Sequence, residues 1–373
     1  MTSILDVLDD KDVVLCLGSG GVGKTTTSAA LAIALAERGE RVVVLTIDPA
    51  RRLADTLGRS GSLGNEPTKV DDAELDLKGE VWAAMLDPAE TFEQIVRAEA
   101  NDAGQAERIL NNQLFVNLTT SLSGTNEYMA AERLYQLHAD DRFDRVIVDT
   151  PPSRHAMDFL DSPSRLTRFV DHRLYRSVFA PRHGLLKPLN AGTQLVMKVL
   201  GRLVGANLVT DVVSFFSDFE GLDQGFRRRA NDLEQLLTGP RAGYLLDTAA
   251  RNDRLVEAEW IVGNLAERNR PLDAVIVNRV LPVDPDEATE AIETLTAERP
   301  SQPKRARASD AMVQNLTELA TLARQERELI SQLQIRVGNV LTKPPESIAL
   351  TTVSEQLEPV RDIAGLAALG QSF

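Results

Sequence analysis

Gly18-Ser19-Gly20-Gly21-Val22-Gly23-Lys24-Thr25 fits the pattern G-x-x-x-x-G-K-[ST]. The flanks are those the pattern requires. Residues 13–17 form a short apolar run that stops at the glycines, the mark of a strand buried on both faces. A helix is predicted from about Lys24 through Ala29, Leu31, Ile33 and Leu35 to Arg38, with Gly39 as its stop. Residues 41–47 then give a second buried strand, which completes a βαβ unit. In that setting the glycines permit positive φ and a close phosphate approach, while the loop's N–H groups and the helix N-terminus complement negative charge. Gly20, Gly21, Val22, Gly23, Lys24, Thr25 and Thr26 are therefore the expected nucleotide cradle. Lys24 is expected on the β and γ phosphates of ATP, and the Thr25 hydroxyl on Mg2+. The alternative, a glycine-rich turn that only packs a helix on a strand, does not account for the lysine and the hydroxyl that follow.

Working outward, residues 145–148 before Asp149 and residues 272–277 before Asn278 repeat the pattern of an apolar run ending in a polar residue. Residues 243–246 are a weaker fourth candidate, followed by helical spacing at Leu255, Ala258, Ile261, Val262 and Leu265. Strands alternating with helices predict an α/β fold, a doubly wound and mostly parallel sheet of the P-loop type with its chemistry at the C-terminal strand ends. Asp48, in Asp48-Pro49-Ala50, and Asp149, in Asp149-Thr150-Pro151-Pro152, both end strands and are expected to face the phosphates. Each alone would read equally well as a helix cap or a turn residue.

Strand signals vanish between Pro163 and Gly239, which predicts a helical insert at 163–239 between core parts at 1–162 and 240–373. A helix over 309–334, with Met312, Leu316, Leu319, Ala323 and Leu333 on one face, and a last strand at 348–353 follow. The polar stretch 297–307 is the best linker candidate.

Composition narrows the function. With 373 residues, 43% apolar and 26% charged, the chain has enough apolar residues for a sizeable core. A formal charge of −14 repels phosphate backbones, and basic clusters such as Arg227-Arg228-Arg229 lack interleaved aromatics, so nucleic acid is not an expected partner. The single cysteine, Cys16, lies in an apolar run and reads as a small core residue. It points to a reducing, cytoplasmic location. No export signal is expected at the acidic N-terminus. The longest apolar-rich stretch, 194–216, is interrupted by Lys198, Arg202, Asn207 and Asp211 and is a poor membrane span.

These segments resemble the family of arsenite-pump ATPases and tail-anchored-protein targeting ATPases, a dimeric branch of P-loop proteins. The resemblance spans nearly the whole chain and rests on residues 18–27, Asp48-Pro49-Ala50, Gly124-Thr125-Asn126-Glu127-Tyr128-Met129, residues 149–155 and Val277-Asn278-Arg279. The wording is most similar to one member of the actinobacterial paired ATPases of anion-transporter type. The resemblance implies that Asp48 orients the attacking water, that Asp48 and Asp149 join Thr25 at the magnesium, Asp149 through water, and that Asn278 contacts adenine.

The departures matter as much. Ser19 stands where the family usually has a signature lysine that reaches the partner's nucleotide, and Arg51 stands where a histidine often follows Asp-Pro-Ala. One cysteine supplies neither a metalloid cluster nor a C-x-x-C zinc pair, so arsenite is not an expected ligand. Three functions compete: a dimeric ATP-driven switch paired with a related ATPase or with itself, a nucleotide-binding regulatory or scaffold subunit with little turnover, and a membrane-surface positioning ATPase. The last would favour a terminal basic amphipathic helix, which neither end provides. Leu195, Val196, Leu200, Leu203, Val204, Phe215, Phe216 and Phe219 would line a groove for a hydrophobic client or a membrane-associated partner, or simply pack two helices together. Met197 is the insert's single methionine, which weakens the client groove, since promiscuous grooves use methionine.

Overall fold

A computed structural model describes residues 3–48, 52–57, 63–70, 75, 77–112, 125–171, 222–356, 358, 360 and 362–373. Its centre is β1 (Val13–Gly18), all six residues of which are buried because nothing polar interrupts them before the glycines. Val13, Leu15 and Leu17 join one hydrophobic cluster and Val14 and Cys16 another, so the period-two alternation of a strand builds both faces at once. β2 (Arg41–Thr46) and β5 (Arg145–Asp149) divide their residues in the same way.

Among the described residues eight strands form the sheet, in the order β3-β4-β2-β5-β1-β6-β7-β8. The remaining five are β3 (Thr68–Lys69), β4 (Glu80–Met85), β6 (Ala242–Ala249), β7 (Ala274–Val280) and β8 (Ala349–Ser354). All pairs are parallel except β3 with β4. The chain leaves β1 toward one edge and later fills the other edge with β6, β7 and β8. The strand order therefore reverses beside β1, where open α/β sheets bind ligands.

Short α1 (Ile4–Val7) leads into β1. Alanine-rich α2 (Lys24–Glu37) crosses from β1 to β2 on one face. Its N-cap is Gly23 at φ 105°, with no side chain to satisfy the first N–H groups, so the helix start is left open to an anion. After α3 (Arg52–Thr56) the other face is built by α4 (Pro88–Glu99), α5 (Ala103–Leu110), α6 (Thr125–His138), α7 (Ser153–Asp171), α8 (Leu222–Thr238) and α9 (Asn252–Glu267). α10 (Pro285–Ala297) and α11 (Pro303–Leu341) pack on each other, and α12 (Ile363–Gly370) lies on α2.

Several expectations shift. α7 runs through Pro163 without ending there. α8 sets Phe226, Ala230, Leu233 and Leu237 into the main core. Residues 172–221, with the expected client groove and Met197, lie outside the described residues, as do 49–51 and Gly124. The expected linker 297–307 shrinks to residues 298–302, because Pro303 starts α11 at a position where a proline costs no hydrogen bond. The buried stripe of α11 is Ala306, Ala320, Ala323, Leu333 and Val337, whereas Met312 is 54% and Leu319 36% exposed. Over the first two thirds of the helix small alanines face inward and admit the neighbouring helices closely, and only toward its end do the larger Leu333 and Val337 enter the core. No described helix is long and apolar enough to cross a membrane.

Candidate active site

The strand ends deliver their residues to one cavity of about 290 Å³, lined by Gly20, Gly21, Gly23, Lys24, Thr25 and Thr26 of the loop and by Asp48, Asp55, Thr56, Asp149, Thr150, Pro152, Arg279 and Val360 around it. Gly21 and Gly23 take φ of 79° and 105°, conformations that glycine adopts without strain. Lys24 is 8% exposed, and its ammonium donates to the carbonyls of Gly18 and Ser19, both at 2.9 Å. Burial pulls its pKa down while the carboxylates of Asp247 and Asp149 push it back up.

Asp149 ends β5, beside β1, and is 2% exposed. Its Oδ2 accepts from the hydroxyls of Thr25 at 2.8 Å and Thr46 at 3.1 Å. Burial raises its pKa to about 6, against the Thr25 bond and the Lys24 charge, which hold it down. Thr25, Asp48 and Asp149 thus offer a hydroxyl and two carboxylates to the same cavity, all hard oxygen donors of the kind Mg2+ takes. The phosphate side offers the open N-terminus of α2 and the Lys24 ammonium. The residues present fit a magnesium nucleotide.

Two expected residues lie outside the lining. Val22 is buried at 2% exposure. Asn278, 7% exposed, donates from Nδ2 to the Val22 carbonyl at 2.9 Å and accepts at Oδ1 from the Arg279 N–H at 2.8 Å. Its amide ties the end of β7 to the back of the loop, and the next residue, Arg279, held at φ 59°, lines the cavity. Cys16 is fully buried, as a core residue should be, and burial pushes its thiol pKa well up.

Sequence reasoning passed over three groups. Asp247 lies near the end of β6 beside the loop, 1% exposed. It repeats the run-then-aspartate signal of Asp149, but Gly243 and Tyr244 made that strand look weak. Glu257 of α9 accepts a hydrogen bond from the Ser153 hydroxyl at the start of α7. Asp55 and Thr56 of α3 face the cavity without any motif to announce them.

The family model for anion-transporting ATPases matches residues 11–331. The chain is similar to an "ATPase GET3" of Malassezia globosa, 26% identical over 281 residues that cover 75% of this chain and 76% of that protein. It is also similar to an "ATPase ASNA1 homolog" of Entamoeba dispar, 24% identical over 72% of this chain and 76% of the other. A "putative arsenical pump-driving ATPase" of Halobacterium salinarum is 32% identical over 176 residues, 45% of this chain and 26% of that protein.

Proposed function

Given that the chain belongs to the anion-transporting ATPase family and is an ATPase, we propose that it works as a magnesium-dependent, dimeric, ATP-driven switch that passes its change of shape to residues 163–239. The observation that carries this reading is the Thr25 hydroxyl on the Asp149 carboxylate at 2.8 Å, in one cavity with Lys24 and Asp48. Lys24 binds the β and γ phosphates, and Thr25, Asp48 and Asp149 are the magnesium-side residues. When bound, the metal neutralises charge that builds on the transferring phosphoryl group. Asp48 orients the attacking water by accepting its hydrogen bond, and the loop N–H groups stabilise the oxygens that gain charge.

The working form we propose is a heterodimer with a related ATPase, in the cytoplasm, handling a hydrophobic protein or a membrane-associated partner. Ser19 supports the pairing. It is 3% exposed and its carbonyl accepts from Lys24, so it supplies no cation to a neighbouring nucleotide. A homodimer would lack that cation at both sites, whereas a paralogue carrying the lysine would complete the site on this chain. Ser19 equally favours a second reading, a nucleotide-loaded regulatory subunit with little turnover of its own.

Calorimetry and single-turnover hydrolysis test these readings together. Lys24→Ala is expected to lose most MgATP affinity, and Asp48→Asn to keep affinity while losing turnover. Adding the paralogue is expected to accelerate hydrolysis, with Asp48→Asn removing most of that gain. Wild-type affinity in Lys24→Ala would move the nucleotide elsewhere. Full turnover of the chain alone, unchanged by the paralogue, would sink the pairing, and absent turnover with intact binding in both settings would favour the regulatory subunit.

A further inference from the structure

The cavity has two ends, and the roles above occupy only one of them. Asp149 ends β5 and Asp48 follows β2, whereas Arg279 sits near the end of β7, with β1 and β6 between β5 and β7. Three strand spacings, about 14 Å, separate β5 from β7. A bulge shapes the far end. Along β7 and β8 the register passes from Val277↔Thr352 to Val280↔Ser354, so Asn278 and Arg279 together stand opposite Val353. In an unbroken strand these two side chains would alternate across the sheet. Here Asn278 turns to the Val22 carbonyl, while Arg279, at φ 59°, lines the cavity. A positive φ is strained for arginine, and such strain collects where a side chain must be aimed at a ligand. Arg279 is exposed, and among the described residues its guanidinium has no hydrogen bond or ion pair. Val360, which follows β8, the neighbour of β7, lines the same cavity half-buried and also packs on the apolar cluster shared with α2.

We propose that Arg279 and Val360 form the nucleoside end of the site, the guanidinium stacking on a face of the base and Val360 giving it an apolar contact. The proposal rests on the reading of Lys24, Thr25, Asp48 and Asp149 as the phosphate and magnesium end. With the γ-phosphate held there, the triphosphate crosses the loop and carries the nucleoside toward β7. A phosphate at Arg279 would instead have to leave Lys24 and the loop N–H groups. The planar guanidinium suits an aromatic face, which attracts it by cation–π contact and which every base presents. Stacking reads a face and not an edge, so this contact holds a purine without choosing between adenine and guanine.

Calorimetry of the whole chain with MgATP, MgGTP and magnesium tripolyphosphate tests this, the last being the phosphate chain without a nucleoside. The variant is Arg279→Gly, because glycine takes the φ of 59° without strain and so removes the guanidinium while keeping the bulge. It is expected to weaken MgATP and MgGTP by a similar factor, roughly two- to thirty-fold, and to leave tripolyphosphate unchanged. Val360→Ser is expected to show the same selective loss. An equal loss for tripolyphosphate would put the guanidinium on phosphate and overturn the proposal, as would unchanged MgATP affinity. A loss for one purine alone would replace stacking by recognition of a base edge and overturn it too. Failure of wild type to bind any of the three probes would instead remove the phosphate site itself, and the proposal with it.

Discussion

Gly23 meets two demands that a side chain could not. Its φ of 105° is strained for any residue with a Cβ, and that Cβ would lie 2.2 Å from Asn278 Nδ2. Gly23→Ala is expected to weaken MgATP binding by roughly five- to 150-fold, since the φ strain alone is of order 1–3 kcal/mol. Adding Asn278→Ala removes the collision but not the strain, so the double variant should recover part of the affinity. No recovery by calorimetry would show that the contact with Asn278 is not the source of the defect. Asp247 makes a stability prediction of its own. Its folded pKa of about 8 lies above the ordinary 3.8, so folding favours the protonated form. That contribution is fully present below the ordinary pKa and is lost as pH rises through about 8, at up to about 1.4 kcal/mol per pH unit. Asparagine does not titrate. The stability of Asp247→Asn relative to wild type should therefore improve steadily from about pH 5 to about pH 8 in urea unfolding, and a pH-independent difference would contradict the assignment.

At the scale of elements, a charge cluster joins α8 to α4 and α6. Arg229 of α8 reaches Glu99 of α4 at 2.8 Å and Glu132 of α6 at 2.6 Å, and Glu132 is fully buried. Burial pushes the Glu132 pKa up while Arg229 holds it down. Arg229→Met is expected to cost about 3–5 kcal/mol in urea unfolding, because it leaves a buried carboxylate without its cation. Adding Glu132→Gln should restore part of the loss. A cost under about 1 kcal/mol would mean that α8 is held by Phe226, Leu233 and Leu237 alone. None of this was legible in the sequence, where Arg227-Arg228-Arg229 reads only as a basic cluster without interleaved aromatics. β4 was missed as well, since Glu80 and two alanines in Glu80–Met85 give little strand signal without the β2 partner beside them.

For the whole molecule, a nucleotide that binds only the folded chain must stabilise it by mass action. MgATP at about 100 times its dissociation constant should add about 2.7 kcal/mol to wild type and little to Lys24→Ala at the same concentration. Arsenite should add nothing to stability or turnover, because a soft metalloid needs several thiolates and Cys16 is one buried thiol. Metalloid stimulation lost in Cys16→Ser would contradict this. The sequence by itself determined the parallel α/β core, the phosphate loop and the two strand-end aspartates Asp48 and Asp149. Those features are local: glycines that stop an apolar run, a helix that starts at a lysine, a carboxylate one step past a strand. Tertiary structure decided what depends on strand order and side-chain direction. Placing β6 beside β1 set Asp247 next to the loop, and the irregularity near the end of β7, between Val277 and Val280, sent Asn278 to the Val22 carbonyl and left Arg279 at the cavity. The distances that fix these neighbours run between residues more than two hundred positions apart, and no local pattern encodes them.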